Sequence, residues 1–367
     1  MRRLALLLLI PIVLVTATGL ANWQVDPFGW FYERGPLAAA TAAPGAGGEG
    51  CLVGDDAIGG VSYLDFKEDV LRSRPATTTV VVGSSRVLKI GPRPGETTFS
   101  NLGLPGLGPK SLGTLFRDVA RIAAGRPLTV YLDVEFMWLN PSWRHAVEFR
   151  PSLLHRIGYV LGRSALVASW HLARRPAGLG AALRGWERES FGGRCVLGRG
   201  SPGIAWRSDG VRMYAFELDP QAAPPTSSRF SGSFADLRAG QYAGYTHLDE
   251  QAFGRLARVL DSAKAHGWRV VGFAPPDSSA YVKLFSTRPE TAASWRAFFE
   301  RVPALFRKRG LGWLDLRDIV SVPCGQREFV DDGWHVTAAC AARIRERLDA
   351  AAATLPGPTA VAAGTSR

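Results

Sequence analysis

The residues best suited to covalent chemistry are a serine in the first third of the sequence and an aspartate and a histidine near its end. Ser85 follows a run of β-branched residues that stops at Gly83, a pattern typical of a buried strand ending in a tight turn. Asp332 and His335 are three residues apart, so one short loop can carry both. A serine hydroxyl needs a base within hydrogen-bond distance, and the base needs a group that fixes its tautomer. These residue types predict a serine nucleophile.

Each motif alone also has an ordinary structural explanation. Gly-Ser turns are common between secondary-structure elements, and a D-x-x-H segment can be a solvated loop or a helix cap. The order of the motifs favours a catalytic role over a structural one. A strand and Gly-x-Ser come first, a long α/β body follows, and D-x-x-H then precedes a final helix. In open α/β sheets ligands bind at the carboxyl ends of strands, which is where Ser85 is expected.

This arrangement resembles the SGNH (GDSL-like) hydrolase superfamily, and within it the membrane-anchored bacterial branch that includes the D-alanyl transfer protein of teichoic acid operons. The first block of that branch is G-[ST]-S-R, and residues 83–86 are Gly-Ser-Ser-Arg. The resemblance implies that Ser85 is the nucleophile, His335 the base and Asp332 the orienting acid. It extends over about residues 76–135 and 246–350 and implies a three-layer, flavodoxin-like α/β fold.

The resemblance also suggests where an oxyanion hole would lie. In the family a glycine of the second block contributes its amide, and Gly103 and Gly106 are the candidates here. The third block, G-x-N-D, is missing from this sequence. Asn101 and Asn140 are the nearest asparagines that could replace its donor.

Further candidates lie at the predicted carboxyl edge of the sheet, close to Ser85. Asp133 and Glu135 end another strand, and we interpret them as a structural pair rather than as catalytic carboxylates. Four residues at this edge are candidates for substrate binding: Arg86, Asp277, Ser278 and Tyr281.

Composition and charge narrow the class of protein. The chain has 367 residues, 46% hydrophobic and 21% charged, which suits one sizeable globular domain with appendages. The formal net charge of +12 would allow nucleic-acid binding, but zinc-ligand spacing, an RNP-like motif and a helix-turn-helix pattern are all missing. An anionic envelope polymer or a lipid surface fits the charge equally well. We predict no nucleic-acid partner, no cofactor and no metal.

The N-terminal sequence predicts a membrane anchor. Residues 4–25 are uncharged, and as a helix they would extend roughly 33 Å, enough to cross a hydrocarbon core of about 30 Å. Arg2 and Arg3 favour a cytoplasmic N-terminus. We therefore expect a single-pass protein of the inner (cytoplasmic) membrane, with its catalytic domain extracytoplasmic. A signal peptide cleaved near Ala21 is the alternative.

The remaining chain is predicted to contain a linker, a catalytic domain and an insertion. Residues 26–60 combine a juxtamembrane segment with an Ala/Gly/Pro-rich linker. Residues 61–355 have the pattern of an α/β domain with a mostly parallel sheet of about five strands. Residues 140–245 interrupt that pattern with basic amphipathic stretches, which we interpret as a helical cap. Residues 356–367 are expected to be a disordered tail.

Four cysteines in a compartment that permits oxidation predict disulfides. Cys324 and Cys340 flank the D-x-x-H loop, and a bridge between them would leave Cys51 to pair with Cys195. This is one of three possible connectivities. A buried free thiol at Cys340, on an apolar helix face, is the alternative.

Together these features predict a serine esterase or O-acyltransferase that acts on ester-linked acyl groups of an envelope polysaccharide or glycolipid. The expected partners are that substrate, the inner membrane and a multi-spanning membrane acyltransferase. The alternative is a catalytically idle SGNH-like protein that binds polysaccharide or such an acyltransferase. The missing G-x-N-D favours this alternative, whereas Ser85, Asp332 and His335 argue against it.

Overall fold

In the computed structural model, the described residues are 2–25, 51–54, 63–142, 187–191, 194–198, 204–214, 244–318, 321–325, 328–330 and 334–358, with residues 158, 161, 217 and 242 between them. Side chains are described for residues 9–20 of the first helix and not for 187–191 or 194–198. The chain divides into two compact units. The first consists of Met1–Asp69, Glu148–Ser208 and Met213–Pro220, and the second of Val70–Val147, Asp209–Arg212 and Gln221–Arg367.

The described α-helices are α1 (Arg2–Val25), α2 (Tyr63–Ser73), α3 (Pro109–Ala123), α4 (Glu250–Ala265), α5 (Ser279–Thr287), α6 (Pro289–Arg307) and α7 (Ala338–Ala353). The described strands are β1 (Leu52–Gly54), β2 (Thr79–Val82), β3 (Phe99–Asn101), β4 (Thr129–Asp133), β5 (Glu187–Phe191), β6 (Arg194–Gly198), β7 (Ile204–Trp206), β8 (Arg212–Tyr214), β9 (Arg269–Ala274), β10 (Gly312–Asp315), β11 (Phe329–Val330) and β12 (His335–Val336). Two 3₁₀ turns span Ser85–Val87 and Phe136–Leu139.

Helix α1 extends over the segment predicted as the membrane anchor. Within the part of the chain that the structure describes, no helix has both the length and the apolar character needed to cross a bilayer. The anchor therefore stays a prediction.

The first unit contains a mixed five-stranded sheet in the order β5-β6-β1-β7-β8. Strand β1 pairs parallel with β6 and antiparallel with β7. The prediction of a linker throughout 26–60 is therefore wrong at Leu52–Gly54, which form a strand. The prediction of a helical cap is wrong between residues 187 and 214, where the described elements are strands. Their short, partly polar sequences lack the long apolar periodicity that identifies a strand in isolation. The helices expected within 153–186 lie outside the described residues.

The second unit is built on the predicted parallel sheet. Its order is β10-β9-β4-β2-β3, and each neighbouring pair is parallel. Helices lie on both faces of this sheet. On one face Val271 and Phe273 of β9 share a core with Ile344 of α7. On the other face Phe306 of α6 packs so closely on Gly272 that a Cβ there would lie 2.2 Å from its ring. This mixed α/β arrangement is compatible with a flavodoxin-like fold.

The predicted disulfide between Cys324 and Cys340 is confirmed. Cys51 is also disulfide-bonded, and Cys195 is the remaining cysteine of the sequence. Strand β1 pairs with β6, which carries Cys195, in the register Leu52↔Val196. The second predicted pairing agrees with this register.

Candidate active site

Ser85 lies directly beyond the carboxyl end of β2, as the first residue of a 3₁₀ turn. The approach of β2 to β4 requires glycine at position 83, because a Cβ there would lie 2.4 Å from the Cβ of Asp133. Ser84 caps the turn, since its hydroxyl accepts a 3.1 Å hydrogen bond from the amide of Arg86. The sheet and this cap together fix the backbone that carries Ser85.

His335 is presented by the short hairpin β11–β12, in which it lies opposite Val330. The disulfide between Cys324 and Cys340 joins the chain on either side of this hairpin. The Nε2 atom of His335 lies 2.8 Å from the Oγ atom of Ser85. This is the distance at which an imidazole can take the hydroxyl proton, provided that Nδ1 carries the ring hydrogen.

Asp332, the predicted acid that would fix this tautomer, lies outside the described residues. Its role stays a prediction from the motif. The described residues thus place the predicted nucleophile and the predicted base together, from segments 250 residues apart in sequence.

A cavity of about 80 Å³ opens at this pair. Because a water molecule occupies about 30 Å³ in the liquid, the space corresponds to only about two or three waters. Its apolar lining comes from Leu107, Met137 and Trp334. The cavity therefore has room for a short acyl group beside Ser85.

A cluster of buried acids lies behind the Ser85 turn. Asp133 accepts a 3.1 Å hydrogen bond from the amide of Ser84, and Glu135 is bonded to the hydroxyl of the same serine. Burial raises the pKa of Asp133 to about 6. Burial and the neighbouring Asp133 raise the pKa of Glu135 well above its usual range. The two carboxyls interact directly with each other, and both are held behind the turn that carries Ser85.

Arg86 connects this cluster to the next strand. Its guanidinium forms a buried 2.8 Å ion pair with Asp277 and donates a 2.6 Å hydrogen bond to the carbonyl of Pro276. It also lies 5.0 Å from the ring centre of Trp334. Burial raises the pKa of Asp277 despite the opposing charge of Arg86. Arg86 lines the cavity, but these contacts hold its charged group in place.

The other predicted substrate contacts support the wall of the cavity instead of lining it. Tyr281 is buried and its ring packs 4.7 Å from that of Trp334. Ser278 is buried at the start of α5. Asp277 is occupied by Arg86. Asp277, Ser278 and Tyr281 are thus absent from the described lining of the cavity, and their contact with substrate stays a prediction.

Two predicted oxyanion donors are occupied elsewhere. The side-chain amide of Asn101 donates to the carbonyls of Val87 and Ile90, at 2.7 and 2.9 Å. The amide of Gly103 donates to Asn101 Oδ1 at 2.9 Å. Both groups stabilise the segment after Ser85, and their role as oxyanion donors stays a prediction. Motif spacing gave no sign of these local bonds.

Asn140 and Gly106 differ in their relation to the cavity. Asn140 is buried beyond the turn Phe136–Leu139, where its side chain accepts from the amide of Ser142. Gly106 lines the cavity with Ser85, in a left-handed conformation with φ of 72°. Among the described residues, the backbone amides of Ser85 and Gly106 have no acceptor. Gly106 is therefore the glycine that the geometry favours as an oxyanion donor.

Sequence reasoning missed several residues of the site. The sequence predicts a structural role for Glu135 and no role for Met137 and Trp334, although all three line the cavity. Two of these residues could have been found from the sequence, since Trp334 directly precedes His335 and Glu135 follows the end of a buried strand.

No protein-family model matches the chain, and no curated protein matches it significantly. The fold and the geometry around Ser85 therefore provide the physical basis for assigning a function.

Proposed function

We propose that this protein is a serine ester hydrolase or O-acyltransferase of the SGNH type. The observation that carries the proposal is the 2.8 Å separation of Ser85 Oγ and His335 Nε2 at the carboxyl end of a parallel strand. A hydroxyl is a weak nucleophile at neutral pH unless a base removes its proton as it attacks. The open amides of Ser85 and Gly106 at the same cavity support the assignment further.

In the proposed mechanism Ser85 Oγ attacks the acyl carbonyl carbon while its proton passes to His335 Nε2. The resulting oxyanion accepts hydrogen bonds from the amides of Ser85 and Gly106. When the intermediate collapses, the bond to the alcohol oxygen breaks and His335 returns the proton to that oxygen. Water or a second hydroxyl, deprotonated by His335, then attacks the acyl-serine and releases free Ser85. Water as acceptor makes the protein an esterase, and a sugar hydroxyl makes it a transferase.

The cavity supports a short acyl group as the transferred unit. Its volume of about 80 Å³ is small, and its apolar lining favours a methyl group over a charged one. Acetyl is the simplest group of this kind.

The proposed substrate is an O-acylated polysaccharide or glycolipid of the cell envelope, reached from the outer face of the inner membrane. Two features support this location. Residues 4–25 are uncharged, and every described cysteine is in a disulfide, as is usual in oxidising compartments.

A catalytically idle, polysaccharide-binding protein is the second candidate. Two observations favour it: the sequence lacks G-x-N-D, and the amides of Asn101 and Gly103 are used within the protein. An idle protein would not need a histidine nitrogen within 2.8 Å of the serine hydroxyl, so hydrolysis is the better account.

The test is hydrolysis of nitrophenyl esters of increasing acyl length by the full-length chain in detergent. We expect turnover of the acetyl ester, a steep loss of kcat/KM between the butyryl and octanoyl esters, and no turnover by Ser85→Ala. Turnover that is unchanged in Ser85→Ala would contradict the proposal. Equal rates for acetyl and octanoyl esters would contradict the short-acyl assignment alone.

A further inference from the structure

A second concave surface of the same unit has no place in the proposed chemistry. A groove of about 1000 Å³ lies along α3 and α4. Among the residues that the structure describes, its lining contains no Asp or Glu, and six of the lining residues carry basic side chains. These are Lys110, Arg117 and Arg121 from α3, and Arg255, Arg258 and His266 from α4 and its C-cap.

The positive charge of this groove is largely uncompensated. Within the described part of the chain, Lys110, Arg117, Arg255 and Arg258 form no ion pair, whereas Arg121 is paired with Asp118 at 3.1 Å. Like charges brought together on one surface raise the local potential and favour an anionic ligand that spans several of them. The groove thus has the electrostatics of a site for a ligand with repeated negative charges.

The groove starts near the active-site cavity. Leu107 lines that cavity and Pro109, two residues later, lines the groove. Helix α3 begins at Pro109 and has 15 residues, so it extends roughly 22 Å from the edge of the sheet where Ser85 lies. A linear polymer in the groove would lead towards Ser85.

We propose that this groove binds a linear anionic polysaccharide. A concave site favours a thin chain over a membrane surface, because Arg255 and His266 are half-buried along it. Single-stranded nucleic acid would use exposed aromatic side chains for base stacking. Among the described lining residues Phe116 is the only Phe, Tyr or Trp, and it is buried. Binding rests on the groove alone. Only the identification of the polymer as the substrate rests on the proposed function.

The test is a binding titration of the full-length chain in detergent with oligogalacturonate, a polyuronate, and with uncharged dextran oligomers of similar length. We expect oligogalacturonate to bind and dextran not to bind. Because the attraction is electrostatic, affinity should fall about tenfold or more when salt is raised from 0.05 to 0.5 M, as a roughly threefold shorter Debye length implies. The double variant Arg117→Glu with Arg258→Glu should lose about tenfold or more in affinity.

The matched control is Arg307→Glu with Lys308→Glu, which makes the same change in net charge at exposed positions outside the groove lining. It should bind within about twofold of the wild type if the groove is the site. Equal losses in both double variants would overturn the proposal, as would dextran binding as tightly as oligogalacturonate. The proposal would also be overturned if oligogalacturonate did not bind, while anionic vesicles or oligothymidylate bound to the wild type and not to the groove variant.

Binding and catalysis are tested separately. Ser85→Ala should bind oligogalacturonate like the wild type, and the groove variant should hydrolyse a small acetyl ester normally, since Arg117 and Arg258 are not part of the cavity lining. A wild-type chain that binds the polymer but hydrolyses no ester would contradict the proposed function and leave the groove assignment intact. A chain that hydrolyses esters but shows no charge-dependent binding would contradict the groove assignment and leave the proposed function intact.

Discussion

The disulfide between Cys324 and Cys340 joins the segment before the β11–β12 hairpin to the first turn of α7, so the chain is closed around His335. The two cysteines are 16 residues apart, and a loop of this length is stabilised by about 3 kcal/mol in the chain-entropy account. Replacing both by alanine should lower the free energy of unfolding by about that amount and reduce ester turnover. Chemical denaturation and an ester assay measure the two effects.

Peptide mapping without reduction checks the bridge itself. A linked pair of peptides containing Cys324 and Cys340 is expected. A free thiol at Cys340 in exported protein would contradict both the bridge and its role in holding His335.

Gly83 is predicted to be intolerant of any side chain. An alanine Cβ would lie 2.4 Å from the Cβ and 2.8 Å from Oδ2 of Asp133, and neither strand end can move freely. We expect Gly83→Ala to cost about 1–3 kcal/mol of folding free energy and to lower turnover by displacing Ser85.

Gly254→Ala is the control for this change. It lies within α4, and its Cβ would have only the flexible end of Arg258 nearby, at 3.7 Å. Alanine in a helix interior should stabilise the protein by up to about 1 kcal/mol. A Gly83→Ala variant as stable and active as Gly254→Ala would show that the close approach of β2 and β4 is unimportant.

The parallel sheet was predictable because its three central strands, β2, β4 and β9, each have a compact apolar run. The segment Arg269–Ala274, which stops at Pro275, predicts a strand with the bounds that the structure shows for β9. The segment Thr246-x-x-Asp249 predicts a capping box that opens α4, whereas in the structure Asp249 is the N-cap and accepts hydrogen bonds from the amides of Gln251 and Ala252. Both residues are suitable caps, and the choice between them depends on tertiary packing.

The site was predictable only in part, because tertiary packing also decides where several of its side chains point. Ser85 and His335 follow from motif order, because the motifs carry their own turn signals. Whether Asn101 points at a substrate or at the carbonyls of Val87 and Ile90 depends on contacts that no pattern encodes. Sequence patterns likewise do not show that Glu135 is buried and lines the cavity.

Asp133 predicts an unusual dependence of stability on pH. Its pKa rises from 3.8 to about 6 on folding because the carboxyl is buried. Between these values the unfolded chain has lost the proton and the folded chain keeps it, so rising pH favours unfolding. The stabilisation from this group is full below about pH 4 and lost above about pH 6. A shift of roughly two pH units corresponds to on the order of 3 kcal/mol.

Asp133→Asn isolates this contribution, because the amide oxygen can still accept from the backbone of Ser84. We expect the stability of the variant relative to the wild type to increase by on the order of 3 kcal/mol between pH 4 and pH 7. Denaturation curves at both pH values measure it. A constant difference across this range would mean that Asp133 is ionised in the folded protein throughout.

The proposed triad predicts unequal effects of its members. Ser85→Ala and His335→Ala should each remove nearly all turnover, and the double variant should be scarcely worse because the two act as a unit. Asp332→Asn should retain more activity, since nucleophile and base remain. Asp331→Asn is the matched control and should stay within a few-fold of the wild type. If Asp331→Asn were damaging and Asp332→Asn silent, the acid would be misassigned.

The central claim is that Ser85 is a nucleophile activated by His335, and covalent labelling of the full-length protein with a fluorophosphonate tests it most directly. Mass spectrometry should find one adduct, on Ser85. Labelling should be absent in Ser85→Ala and slowed by about a hundredfold or more in His335→Ala, the usual contribution of a positioned general base. A folded wild-type protein without an adduct on Ser85, or a His335→Ala variant labelled as fast as the wild type, would contradict the account.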